Sequence, residues 1–60
     1  MAMKRLRKTH HLTLSQLAER TGMSQPYLSM LERGKRRNPS LATLKKLAKA
    51  LKVPLGKLLK

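Results

Sequence analysis

Apolar residues along the chain recur every three or four positions, and no stretch alternates apolar with polar for long, so the pattern predicts helices. In "AMKRLRKTH", Ala2, Met3 and Leu6 fall on one side, predicting a first helix that runs to about His10. Thr13 then reads as an N-cap. Gln16 stands three residues later, and a Thr-x-x-Gln box satisfies amide groups that a helix start leaves open. The helix it opens is expected to bury Leu14, Leu17, Ala18 and Thr21, with Gly22 closing it in the left-handed conformation. Ser24 caps a third helix, and Pro26 lies in its first turn, where a missing N–H costs nothing. That helix stops at Gly34. After a basic loop, "KRRNP", Ser40 caps a fourth helix with Leu41, Leu44, Leu47, Ala48 and Leu51 inside and Lys45, Lys46, Lys49 and Lys52 outside. Pro54 interrupts the chain, and "LGKLLK" forms a short last helix. The expectation is an all-α fold of about five short helices, a single domain over residues 1–60.

One stripe in this pattern fits neither core nor ordinary surface. On the third helix, Leu28 and Leu31 face inward with Tyr27 at their margin. Gln25, Pro26, Ser29, Met30 and Arg33 share the other side, across an arc of about 140° at 100° per residue. These residues are too polar for a core and carry little charge for a chain this basic. Only "GMS" separates the second helix from the third, with glycine at the bend, which is the spacing of a helix-turn-helix. The second helix of that motif enters the major groove of DNA, led by its N-terminal residues. A slim face with amide, hydroxyl and methyl-like groups suits base edges: Gln25 can pair with adenine, Ser29 can donate or accept, and Pro26 and Met30 can touch a thymine methyl.

Composition strengthens that reading. Fifteen Lys and Arg residues face two acids, Glu19 and Glu32, for a net charge of +13. Such an excess points to a polyanion, nucleic acid first and an anionic membrane second. There is no cysteine, hence no disulfide and no Cys-based zinc site, which suits a reducing, intracellular setting. No apolar run approaches the ~20 residues of a membrane span, and no signal peptide is visible.

The stretch "LTLSQLAERTGMSQPYLSMLERGKRRNPSLATLKKLAKALKVPLGKLL" resembles the helix-turn-helix domain of the lambda-repressor/Cro (XRE-like) family of prokaryotic regulators. The likeness runs from about Met3 to Leu59 and is carried by "QLAERTGMS", "YLSMLERGKR", "NPSLATLKKLAKAL" and the following "VPL", in order. It implies a compact five-helix fold that binds operator DNA as a transcriptional regulator, often as a dimer. It places Gln25 where family members commonly read bases, with Pro26, Ser29 and Met30 at further base-facing positions. The residues expected along the DNA backbone are Thr13, Ser24, Tyr27, Arg33, Lys35, Arg36, Arg37 and Asn38. The N-terminal "MKRLRK" offers an added contact through Lys4, Arg5 or Lys8.

The chain departs from the family pattern at particular positions. Leu14 stands where many relatives have a phosphate-gripping glutamine. His11 stands where a glycine often closes the first helix, so that turn is expected to be strained or rearranged, and Lys52 replaces another common glycine after the fourth helix. Arg7 and Glu32 each lie at the edge of an apolar stripe, where a lone charge is costly. The family commonly pairs an arginine of its first helix with a glutamate of its third, so a partly buried ion pair is expected between them.

Other chemistries find little support in the residues. His10 and His11 are adjacent and diverge by about 100° on a helix, which rules out a shared metal. Glu19 points away from Glu32, leaving no paired carboxylates for acid–base work. Neither an enzyme, a cofactor nor a small-molecule ligand is expected. Tyr27 is the only aromatic residue, too few for stacking on single strands. The rival reading is a non-specific nucleic-acid binder or a cationic membrane-active protein, since "LKKLAKALKVPLGKLLK" alone reads as an amphipathic cationic peptide. Pro54 and Gly56 interrupt that peptide, so no membrane partner is expected. The expected partner is double-stranded DNA in the cytoplasm, at the nucleoid. A homodimer on a palindromic site, joined through Leu55 or Leu59, is compatible with the sequence. Neither a sensor nor a dedicated dimerisation domain is expected within these residues, which read equally as a small regulator, a domain of a longer one or an engineered binder.

Overall fold

Side-chain hydroxyls set the starts of the middle helices. Thr13 Oγ1 accepts from the Gln16 N–H at 3.0 Å while Gln16 Oε1 accepts from the Thr13 N–H at 2.8 Å, closing the expected box. Ser24 Oγ accepts from Tyr27 N–H at 3.2 Å and Ser40 Oγ from Thr43 N–H at 3.1 Å. The computed structural model describes residues 1–35 and 39–60. Its helices are α1 (Met3–Thr9), α2 (Leu14–Thr21), α3 (Gln25–Glu32), α4 (Leu41–Ala50) and α5 (Leu55–Leu59), with no strand among the described residues. Pro26 does lie in the first turn of α3. His10 and Arg33, expected inside helices, are the C-caps of α1 and α3.

The helix exits explain the departures at His11 and Lys52. Both residues are left-handed, at φ of 55° and 56°, as Gly34 is at 70°. After α1, His11 N–H donates to the Lys8 carbonyl and Leu12 N–H to that of Arg7. After α4, Lys52 donates to Lys49 and Val53 to Ala48; after α3, Gly34 donates to Leu31 and Lys35 to Met30. All three exits share one bonding pattern, the Schellman motif, which satisfies carbonyls left open at a helix end. The left-handed residue it requires costs roughly 1–2 kcal/mol where a side chain replaces glycine. The turns are therefore strained, not rearranged.

Met3, Leu17, Leu28, Leu47, Leu51 and Leu58 are fully buried, and Ala2, Leu6, Leu12, Leu31 and Ala48 complete the core. Burying each of the larger side chains contributes about 1.5–3 kcal/mol. α2 packs on α3 and α4, α4 packs on α5, and the Ala2 N–H donates to the Leu58 carbonyl at 2.9 Å, tying the start of α1 to α5. Leu41 departs from expectation: it is 56% exposed although it shares the angular stripe of Leu44 and Leu47. It opens α4, and side chains lean toward a helix's N-terminus, so Leu41 leans past the rim of the core. Leu14, Ala18 and Leu44 are half-buried at the core margin. Lys45, Lys46, Lys49 and Lys52 face solvent as the pattern predicted.

Candidate nucleic-acid interface

The turn between α2 and α3 is built from its own residues. Gly22 is left-handed, with φ 71°, and its N–H donates to the Ala18 carbonyl at 2.8 Å. Buried Thr21 donates its hydroxyl to the Leu17 carbonyl at 2.9 Å and accepts from the Met23 N–H at 3.3 Å. This leaves the hydroxyl satisfied inside the bend and fixes where Ser24 starts α3. Leu28 and Leu31 then anchor the inner side of α3 in the core, at 0% and 3% exposure.

Anchoring one side turns the other out. Gln25, Pro26 and Met30 are exposed, Ser29 is half-buried between them, and Arg33 and Lys35 are exposed at the far end. Among the described residues, the side chains of Gln25, Ser29 and Arg33 hold no hydrogen bond within the chain, so their polar groups remain available. Ser24 and Thr13 are exposed at the caps of α3 and α2, each hydroxyl accepting a backbone N–H. Tyr27 is half-buried against the core margin. Arg36, Arg37 and Asn38 lie outside the described residues.

The mount of α3 is electrostatic as well as apolar. Arg7 Nε donates to Glu32 Oε2 at 2.6 Å and Nη2 to Oε1 at 3.1 Å, a forked contact between α1 and the end of α3. Their side chains are only 12% and 8% exposed, so the expected pair forms and is well shielded. Arg7 is held above its ordinary pKa chiefly by the hydrogen bond to Glu32; burial works the other way, and the carboxylate's charge adds to the rise. Arg7 therefore keeps its charge across the neutral range. A third bond was not legible beforehand: Arg7 Nη1 donates to the Leu12 carbonyl at 2.8 Å. One guanidinium thus joins α1, the turn before α2 and the end of α3. No residue type signals a backbone acceptor, so sequence reasoning had nothing to find it by.

The full set of features is a capped helix, a left-handed glycine turn and a second capped helix with a solvent-facing polar stripe. The model of the family described as "Helix-turn-helix" matches residues 3–58. The chain belongs to the helix-turn-helix family. An uncharacterized HTH-type transcriptional regulator of Mycobacterium tuberculosis is 55% identical over 47 residues, covering 78% of this chain and 33% of that protein. The HTH-type transcriptional repressor RghR of Bacillus subtilis is 48% identical over 52 residues, covering 87% of this chain and 38% of RghR. This helix-turn-helix chain thus spans only 33% to 38% of the length of those relatives. Among solved structures, the biofilm master regulator SinR in complex with DNA superposes with a TM-score of 0.90 at 40% identity, covering 97% of this chain and 92% of the SinR chain. The likeness therefore includes nearly every element described above.

Proposed function

We propose that this chain is the DNA-binding unit of a transcriptional regulator, reading a specific duplex sequence through α3 in the major groove. The observation that carries this reading is the division of α3 into a locked inner side and an outer stripe whose polar groups have no partner among the described residues. Gln25, Pro26, Ser29 and Met30 supply sequence readout; Thr13, Ser24, Tyr27, Arg33 and Lys35 line the phosphates, joined by Arg36, Arg37 and Asn38. Charge supplies affinity: with about six phosphates contacted, log K falls with log salt at a slope of about −5. The protein acts by binding, without catalysis, in the cytoplasm at the nucleoid; no helix among the described residues is long and apolar enough to cross a membrane.

The test is selection of bound sites from random duplex DNA. Enrichment of one sequence supports the reading, a palindrome indicating two copies and a single half-site one. An unenriched pool overturns it in favour of charge-driven binding alone.

A further inference from the structure

Four helix exits among the described residues pass through a left-handed residue: His11, Gly22, Gly34 and Lys52. At three of them the next amide closes back on its own helix. Leu12 donates to the Arg7 carbonyl, Lys35 to that of Met30 and Val53 to that of Ala48. Backbone bonds therefore set the direction in which those three segments leave. The exit of α2, inside the helix-turn-helix, is built differently. Gly22 N–H donates to the Ala18 carbonyl, the single bond of an αL cap. The following amide, that of Met23, donates instead to a side chain, Thr21 Oγ1 at 3.3 Å. Here a hydroxyl stands where the other exits use a carbonyl.

Thr21 is the one polar residue buried with the core among those described, at 8% exposure. A valine of the same shape would fill the site with no polar group to satisfy. The hydroxyl therefore answers another need than packing. Its proton goes to the Leu17 carbonyl at 2.9 Å, and a hydroxyl bonded back to its own helix does not by itself steady that helix. What the arrangement does is aim an oxygen lone pair past the helix end at the Met23 N–H. Met23 lies between left-handed Gly22, the residue with the widest backbone freedom, and Ser24, the N-cap of α3. The hydroxyl thus ties α2 to the residue just before α3, across the freest torsions of the connection. The far end of α3 has its own restraint in the Arg7–Glu32 pair. Gln25 is the first residue after the Ser24 cap, so the restraint from Thr21 bears on it most directly. Paired hydrogen bonds from an amide to adenine tolerate small displacements only, because such bonds span about 2.7–3.2 Å.

We propose that Thr21 is a specificity-determining residue that never touches DNA: its hydroxyl positions the start of α3 so that Gln25 reads its base. The proposal rests on the reading of α3 as the helix that enters the major groove. Thr21 is a positioning residue in this scheme, acting through Met23 and Ser24 on Gln25.

Competition binding on the selected duplex and on random duplex tests it, at a temperature where circular dichroism melts show each variant folded. Thr21→Val keeps the shape and removes the hydroxyl; Thr21→Ser keeps the hydroxyl and removes the methyl. T21V is expected to lower the preference for the selected site about fivefold, the equivalent of one ordinary hydrogen bond. T21S should keep the wild-type preference. Affinity for random duplex, which charge supplies, should change by less than about twofold in either variant. A cycle with Gln25→Ala separates positioning from stability alone. On that background T21V should cost less than about twofold in preference, because the contact it steers is gone. The proposal is overturned if T21V keeps the wild-type preference, or if T21S loses as much as T21V. It is also overturned if T21V costs the same with Q25A as without it, or weakens selected and random duplexes alike. Hydrogen exchange on the wild-type chain decides the matter should T21V not fold. Exchange of the Met23 amide slowed about tenfold or more relative to a free peptide supports the restraint, and free-peptide exchange overturns it. Equal affinity of the wild type for selected and random duplexes would refute the reading of α3 and the proposal with it. Failure of the proposal alone leaves that wild-type preference intact.

Discussion

The inner and outer sides of α3 are governed by opposite demands. Inward, Leu28 and Leu31 are sealed in the core and Glu32 is held by a forked arginine that also reaches the Leu12 carbonyl. Outward, the side chains of Gln25, Ser29 and Arg33 make no hydrogen bond with the described chain, and Met30 is 39% exposed. On the proposed function, the difference separates position from recognition. A reading surface gains discrimination only if its polar groups are free beforehand and held in place by something else. Here the holding is done by residues that never face the solvent stripe, so damage to either side should have a distinct signature.

Leu28→Ala should break the mount most severely. Truncating a fully buried leucine costs about 2–5 kcal/mol, enough to unfold much of a domain this small, as denaturant titration followed by circular dichroism would register. Gln25→Ala should do the reverse. Thermal stability stays unchanged, while preference for the selected site over random DNA falls by about 1–3 kcal/mol in competition binding. Equal losses on both DNAs would remove its readout role.

Glu32→Gln probes the join between the sides. With the carboxylate gone, Arg7 keeps a shielded charge without its counter-ion, and stability should fall by about 1–2 kcal/mol. At about 4–8 °C per kcal/mol for a small domain, a melting experiment resolves this easily. Affinity for duplex should fall with it, and a variant unchanged in both properties would contradict the mounting role. The smallest effect is a gain. His11→Gly and Lys52→Gly each relieve a left-handed side chain, offset in part by glycine's greater freedom when unfolded, for a net rise of about 0.5–1 kcal/mol. Site preference should not move. If it did, the turn carrying the Leu12 carbonyl would belong to the reading side after all.

Local chemistry made much of this legible in advance. The Thr13–Gln16 box, the Ser24 and Ser40 caps, the Pro26 first turn and the left-handed Gly22 each depend on residues within a few positions of one another. Their physics is complete inside one turn of helix. The stripe on α3 was legible for the same reason, because helical periodicity alone separates it from Leu28 and Leu31. The Arg7–Glu32 pair came from the family likeness, since nothing local links positions 25 residues apart.

Tertiary structure decided the rest. Leu41 has the periodicity of a core residue, but its place at the rim of α4 leaves it exposed. Whether His11 and Lys52 would strain or rearrange depended on whether the carbonyls of Arg7, Lys8, Ala48 and Lys49 needed those amides. The third bond of Arg7 likewise depends on how the helices are oriented in space. By itself, then, the sequence determined where helices begin, end and turn apolar, because caps and periodicity act over a few residues. Which charges share a face, which apolar residues reach the core and which strain is tolerated were decided only when distant segments packed together, because burial and shielding are properties of the assembled fold.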